Sequence, residues 1–311
     1  MLYIENGGTR LGILPEVGGR IVSLSRQGAP NILKSDKNLW NEAERLEPSP
    51  ELLEFRPYNG HEVWVGPQSE WWKHQDLNEE QKRSTLFWPP DPYISYGAFE
   101  VVRHISCEIE MVGPESPISG IRFKKHVHIT ADGIVHFDVT ATNIRQEPVS
   151  WDLWLVTRTS GNNPTFVPVA SPFDVNVTPP THPDYEGPAP YAVKDGYFTF
   201  TPERRDVSYE ACTAKAFIRP SRPFIATLSG RDMLVIRFEH HNRSDLHPEQ
   251  TEVELYNYAS AGSDALMEME YHTPYVTLQP GESMTASQTW EILPFSGFIS
   301  RESVTEFLNT L

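Results

Sequence analysis

The chain of 311 residues has only two cysteines, Cys107 and Cys212. One distant pair makes a poor disulfide framework, and neither cysteine stands in a Cys-x-x-Cys spacing. Two reduced, buried thiols are therefore expected, with no zinc ribbon or dithiol redox motif. Positive charge is also scarce: 26 Lys and Arg against 42 Asp and Glu give a formal net charge of −16. Such a balance repels phosphate backbones and anionic lipid surfaces, so neither nucleic acid nor a membrane is an expected partner. No stretch approaches the roughly 18 consecutive apolar residues of a membrane span, and residues 1 to 6 lack the charged and apolar regions of a signal peptide. A cytoplasmic location is the default expectation. Helical periodicity is sparse, and no internal repeat or low-complexity tract is visible.

What is abundant suits strands and turns: 15 Phe, 12 Tyr and 8 Trp beside 27 Pro and 19 Gly. A sequence of this length buries a substantial core, and an all-β sandwich of this size commonly forms one domain. The expectation is a large antiparallel β-sandwich spanning residues 1–311. Period-two alternation is clearest at residues 122 to 141. Phe123, Val127 and Ile129 alternate with Lys124, His126 and His128; then Val135, Phe137, Val139 and Ala141 alternate with His136, Asp138 and Thr140. Both apolar sets share one face only if pairing centres on Asp132, which requires a three-residue loop with Gly133 left-handed. That register sets His128 opposite His136 and His126 opposite Asp138. The polar face so formed is either a solvent-facing surface or the lining of a sugar groove.

Further strands are expected at 97–111, 150–158, 196–202, 213–219, 223–228, 233–239, 250–257, 265–271 and 284–293. The one clear helix is the tail, about 300–311, where Ser300 can cap a stripe of Val304, Phe307, Leu308 and Leu311. It reads as a terminal clasp. Residues 178–190, with Pro179, Pro180, Pro183, Pro188 and Pro190 around His182, Asp184, Tyr185 and Glu186, read as an extended loop.

Three stretches carry chemistry. Leu11 to Leu24 runs as apolar strand, glycine pair and apolar strand; Gly18 and Gly19 let the backbone turn where a Cβ would clash, and Arg20 follows at the strand start. Tyr58-Asn-Gly-His61-Glu-Val-Trp64 is a polar turn entering an apolar strand. Near the end, Glu268, Glu270 and His272 alternate with Met267, Met269 and Tyr271, followed by Leu278-Gln-Pro-Gly-Glu282 and Gln288-Thr-Trp290. Together these stretches resemble the galactose mutarotase-like (aldose 1-epimerase-like) superfamily over roughly residues 1 to 295, in an uncharacterised branch of it.

The resemblance implies a sugar ligand and a cofactor-free epimerase in which a carboxylate removes the anomeric proton while a histidine protonates the ring oxygen. It points to Glu270 as base, with Glu268 second, and to His61 as acid, although Glu62 and Val63 stand where the family's motif has Gly-Gly. The family's second catalytic histidine has no counterpart; Asp152 and Arg158 occupy that neighbourhood. Arg20 and Asp152 are expected to position or balance charge.

Trp64, Trp71, Trp72 and Trp88, on Pro-rich loops, are expected to form a platform, since a pyranose stacks its C–H face on an aromatic ring. His126 and His128 are candidate groove residues. No metal site and no cofactor are expected. Two other functions stay open: a carbohydrate-binding protein without catalysis, and a polysaccharide lyase or hydrolase on the same sandwich, which would use a carboxylate pair or a tyrosine.

Overall fold

The computed structural model describes residues 1–41, 45–178, 189–200, 211–260 and 264–311, with the side chains of 211–212 and 259–260 left aside. Two antiparallel sheets lie face to face. The first has the spatial order β1 (Leu2–Asn6), β2 (Thr9–Leu14), β3 (Arg20–Arg26), β4 (His61–Gly66), β9 (Val149–Ser160), β18 (Leu266–His272), β17 (Val253–Ser260), β14 (Ala211–Ile218) and β11 (Val175–Thr178), with β19 (Val276–Leu278) also paired to β9. The second runs β12 (Tyr191–Lys194), β13 (Tyr197–Phe200), β10 (Thr165–Pro168), β15 (Phe224–Ser229), β16 (Asp232–Phe238), β20 (Ser283–Pro294), β8 (Val135–Asn143), β7 (Ile121–Ile129), β6 (Glu108–Glu115) and β5 (Glu100–Ile105). The fold is an all-β sandwich of the mutarotase-like kind.

One continuous core fills the space between the sheets, built from the apolar set of each alternating strand: Leu153, Leu155, Met267, Met269 and Leu255 from the first sheet, Phe123, Val127, Phe137, Val139 and Trp290 from the second. The β7–β8 hairpin has the expected register, His128 paired with His136 and His126 with Asp138, and Gly133 sits at φ +85°. At the other glycine pair, Gly18 has φ +64° and a Cβ there would stand 2.6 Å from the Ser95 carbonyl oxygen.

Residues 97–111 form two strands where one was expected. β5 and β6 fold back on each other across a tight turn at Ser106 and Cys107, and β5 shows little burial alternation, so nothing in its apolar pattern marked the reversal. Cys107 is free and half-buried, not buried. The C-terminal helix, Arg301–Leu308, is capped by Ser300, whose hydroxyl accepts from the Ser303 amide. Pro179 to Pro188, with His182, Asp184, Tyr185 and Glu186, lie outside the described residues. No helix among the described residues is long and apolar enough to cross a membrane.

Candidate functional site

Alternation gives each strand of the first sheet two faces, and the outer face carries the chemistry. Cross-strand pairing lines the residues up in rungs. One rung reads Lys215, Tyr256, Glu268, Arg158; the next reads Asn176, Phe217, Glu254, Glu270, Val156, Glu62; a third joins His272, Trp154 and Trp64. Charged groups are thus stacked on adjoining strands about 4.8 Å apart.

Two linked networks result. In the first, Glu62 accepts from Arg20 Nη2 at 2.6 Å, from the Trp64 indole at 3.0 Å and from Arg158 Nη1, and Arg158 Nε donates to Glu268 Oε1 at 2.6 Å. The two guanidinium groups overcome the burial of the Glu62 carboxyl and hold it below the usual carboxylate range. In the second, the Lys215 ammonium lies 2.7 Å from Glu254 Oε2 and 3.1 Å from Glu270 Oε2, and the Trp154 indole donates to Glu270 Oε2 at 2.8 Å.

His272 completes this network. Its Nδ1 is 3.3 Å from Asp152 Oδ1 and its Nε2 is 3.6 Å from Glu254 Oε1. Burial alone would lower the imidazole, but Glu254 and Asp152 lift it to about 9. Burial raises the Glu270 carboxyl, against the pull of Lys215, to about 7. Glu254 goes the other way: Lys215 and His272 outweigh its burial and bring it to about 2.

Three buried polar atoms in this cluster have no hydrogen-bond partner, Asp152 Oδ2, Glu270 Oε1 and His272 Nε2, and the last two belong to groups of opposite kind. Buried polar atoms are nearly always paired, so an orphaned base beside an orphaned acid is a place where a ligand hydroxyl can bond to both. Glu254, Glu270 and His272 also bring ligand atoms within 4.8 Å of one another, which is close enough for a metal ion. Lys215 already supplies positive charge against both carboxylates there, so the donor set does not call for a cation.

The expected site residues divide sharply. Glu270, Glu268, Asp152, Arg20 and Trp64 all belong to the outer-face networks. Arg20 and Asp152 hold other side chains, Arg20 the Glu62 carboxylate and Asp152 the His272 ring. His61 does not join them. As the first residue of β4 it points the opposite way from Glu62, into the inter-sheet core, between the rings of Phe137 and Trp290 at 4.6 and 4.7 Å. Its Nδ1 meets the Thr157 hydroxyl at 2.9 Å, and burial with nearby Lys125, Arg158 and Arg20 keeps the ring well below its usual pKa. It is a neutral core histidine in a place where the expected acid is not.

Trp71 and Trp72 are also corrected. Each is 2% exposed, with its indole nitrogen donating to a carbonyl, Val65 for Trp71 and Pro89 for Trp72. Of the four expected platform rings only Trp88 is open, 43% exposed, edge-on to Phe55 at 4.7 Å. His126 and His128 lie on the outer face of the second sheet, with the whole sandwich between them and Glu270. There His126 pairs with Glu108 at 3.1 Å, and the His128 and His136 rings stack at 4.5 Å.

Sequence reading did not single out Lys215, Glu254, Glu62 or Trp154 for the site. The signal for Lys215 was present: Thr213, Lys215 and Phe217 alternate with Ala214, Ala216 and Ile218, which sets Lys215 on a polar face.

Beside the networks lies a cavity of about 600 Å³ between β11, β14 and residues 240–252. Its wall includes Gln250, whose side-chain amide is 2.9 Å from His272 Nδ1, and Thr251, whose amide donates to Glu254 Oε1.

Two face-to-face antiparallel sheets, with a carboxylate- and tryptophan-rich outer face on one of them, make a galactose mutarotase-like fold. Solved structures agree at the level of fold. A galactose mutarotase-like protein from Clostridium acetobutylicum superposes with a TM-score of 0.58 at 13% identity, over 94% of this chain and 95% of that one. One from Lactobacillus casei gives 0.58 at 13%, over 94% and 100%. A GalM/aldose epimerase homologue from C. elegans gives 0.54 at 15%, over 95% and 99%. By sequence, the chain belongs to the family described as a domain of unknown function, DUF4380, whose profile matches residues 1–293. No curated protein matches it.

Proposed function

We propose that this chain is a sugar-active enzyme of the aldose epimerase type, with Glu270 as base and His272 as acid. The observation that carries the reading is the pair of unpartnered buried atoms, Glu270 Oε1 and His272 Nε2, set among carboxylates whose charges hold one group as a base and the other as an acid. Glu270 removes the proton of the anomeric hydroxyl as His272 protonates the ring oxygen. The C1–ring-oxygen bond breaks, the aldehyde rotates, and the hydroxyl adds back from the other face with the protons returned. Asp152 orients the imidazole and Lys215 steadies the carboxylates. Lys215 and Glu268, 22% and 16% exposed, are members of the cluster with open surface, so the sugar reaches the pair past them.

The test is anomer exchange by NMR on free aldoses and their 6-phosphates. Exchange should rise with pH as Glu270 deprotonates near 7 and fall as His272 deprotonates near 9, a bell belonging to the coupled pair. Glu270→Gln should reduce kcat by at least about a hundredfold with the fold intact; turnover retained in that variant removes the assignment. A second reading, sugar binding without turnover, is favoured by one observation: Glu270 and His272 are enclosed while the Trp88 ring is open. It predicts a Trp fluorescence change without accelerated exchange.

A further inference from the structure

Phe173 is 98% exposed, an unusual placement for a large apolar ring, and it stands on the rim of the 600 Å³ cavity. Volumes of this size are typical of small-ligand sites. The floor is the outer face of the first sheet, through Phe217 and Asn176, and Phe217 shares a rung with Glu254 and Glu270. Two strand spacings, about 10 Å, therefore separate Phe217 from the proposed base. One further linked ring spans that separation.

The polar lining selects among ligands. Arg219 faces Asp174 at 3.8 Å, and His240 faces Glu252 at 2.7 Å. Arg243 donates to the carbonyls of His247 and Pro248. Arg219 is thus set against a carboxylate and Arg243 is held by backbone carbonyls, and Glu249 adds another carboxylate to the wall. Three carboxylates, Asp174, Glu249 and Glu252, outnumber the two arginines of the wall, so a phosphate or uronate would meet net negative charge there. A neutral polyhydroxylated ligand fits: it needs donors and acceptors side by side, and an apolar ring to stack on.

Resting on the epimerase reading, we infer that this cavity is a second sugar subsite, and that the preferred ligand is a neutral reducing disaccharide whose second ring packs against Phe173 and Phe217 while its reducing ring meets Glu270.

The experiment compares glucose and galactose with maltose, cellobiose and lactose, measuring anomer exchange and Trp fluorescence on the wild type, Phe173→Ala and Arg219→Ala. Phe173 is fully exposed, so its loss leaves the fold undisturbed. The inference expects at least one disaccharide to have a lower KM than either monosaccharide. Phe173→Ala should then weaken that disaccharide roughly five- to tenfold while changing monosaccharide exchange less than twofold. Monosaccharide exchange with no disaccharide preference, and no effect of either variant, overturns the subsite and leaves the epimerase reading standing. Neither exchange nor fluorescence change with any sugar overturns both.

Discussion

Glu62 shows how the outer face is held together. Its carboxylate accepts from Arg20, Arg158 and the Trp64 indole, all out of contact with water. Replacing a buried pair by apolar groups is often tolerated, but removing one partner strands the others. Glu62→Ala should therefore cost about 3–5 kcal/mol in a urea titration; a loss under about 1 kcal/mol would mean that water reaches both guanidinium groups. His61, one residue away, is legible only in part. Its type and position were plain in the sequence, but the face it takes depends on where β4 starts, and a one-residue shift exchanges core for groove.

Its burial makes a pH prediction. The folded pKa of His61 lies below the usual 6.5, so the unfolded chain binds more protons between those values, and stability is full above 6.5 and falls as pH drops below it. His61→Leu should flatten that slope in denaturant midpoints measured from pH 7 to 5. An unchanged slope would place the proton uptake elsewhere. By contrast, the proposed mechanism, with Glu270 and His272 as base and acid, expects anomer exchange to keep its pH profile in this variant.

At the scale of elements, alternation with a turn signal was readable and alternation without one was not. The β7–β8 hairpin has both a strict apolar set and Gly133, and its register followed from the sequence. β5 lacked the apolar contrast and no glycine marked its turn into β6, so the two merged into one expected strand. The candidate site was legible one strand at a time: Glu268, Glu270 and His272 could be put on a common face of β18, but of their partners Glu254 stands on the preceding strand while Lys215 and Trp154 come from strands distant in sequence. Only the sheet order brings them together.

The glycine pair before β3 tests a local claim. Gly18 is left-handed and a Cβ would press on the carbonyl oxygens of Ser95 and Ile94, while its own carbonyl accepts from Lys125 at 2.6 Å. Gly18→Ala should destabilise by roughly 1–3 kcal/mol, seen as a lower Tm. An unchanged Tm would show that the turn relaxes without loss.

At the scale of the whole molecule, the two faces of the second sheet are covered by different means. Its inner face meets the first sheet. On its outer face Phe224, Ala226, Leu228, Met233 and Val235 of β15 and β16 form a second apolar cluster, closed by Val304 and Leu308 of the C-terminal helix and by Phe295. The helix is only eight residues long, too short to be stable alone, so its packing must hold it in place. Arg301 adds hydrogen bonds to the carbonyls of Lys194 and Tyr197, and the Tyr197 hydroxyl donates to Asn309. This dependence runs both ways, since without the helix a strip of sheet meant for burial faces water. Leu308→Ala should cost about 2–5 kcal/mol, and a chain ending at Ile299 should lose more and scatter light on warming well below the Tm of the full chain. If the shortened chain unfolds at the same temperature and stays clear, the helix is an ornament on a self-sufficient sandwich, and the cluster beneath it contributes nothing through burial.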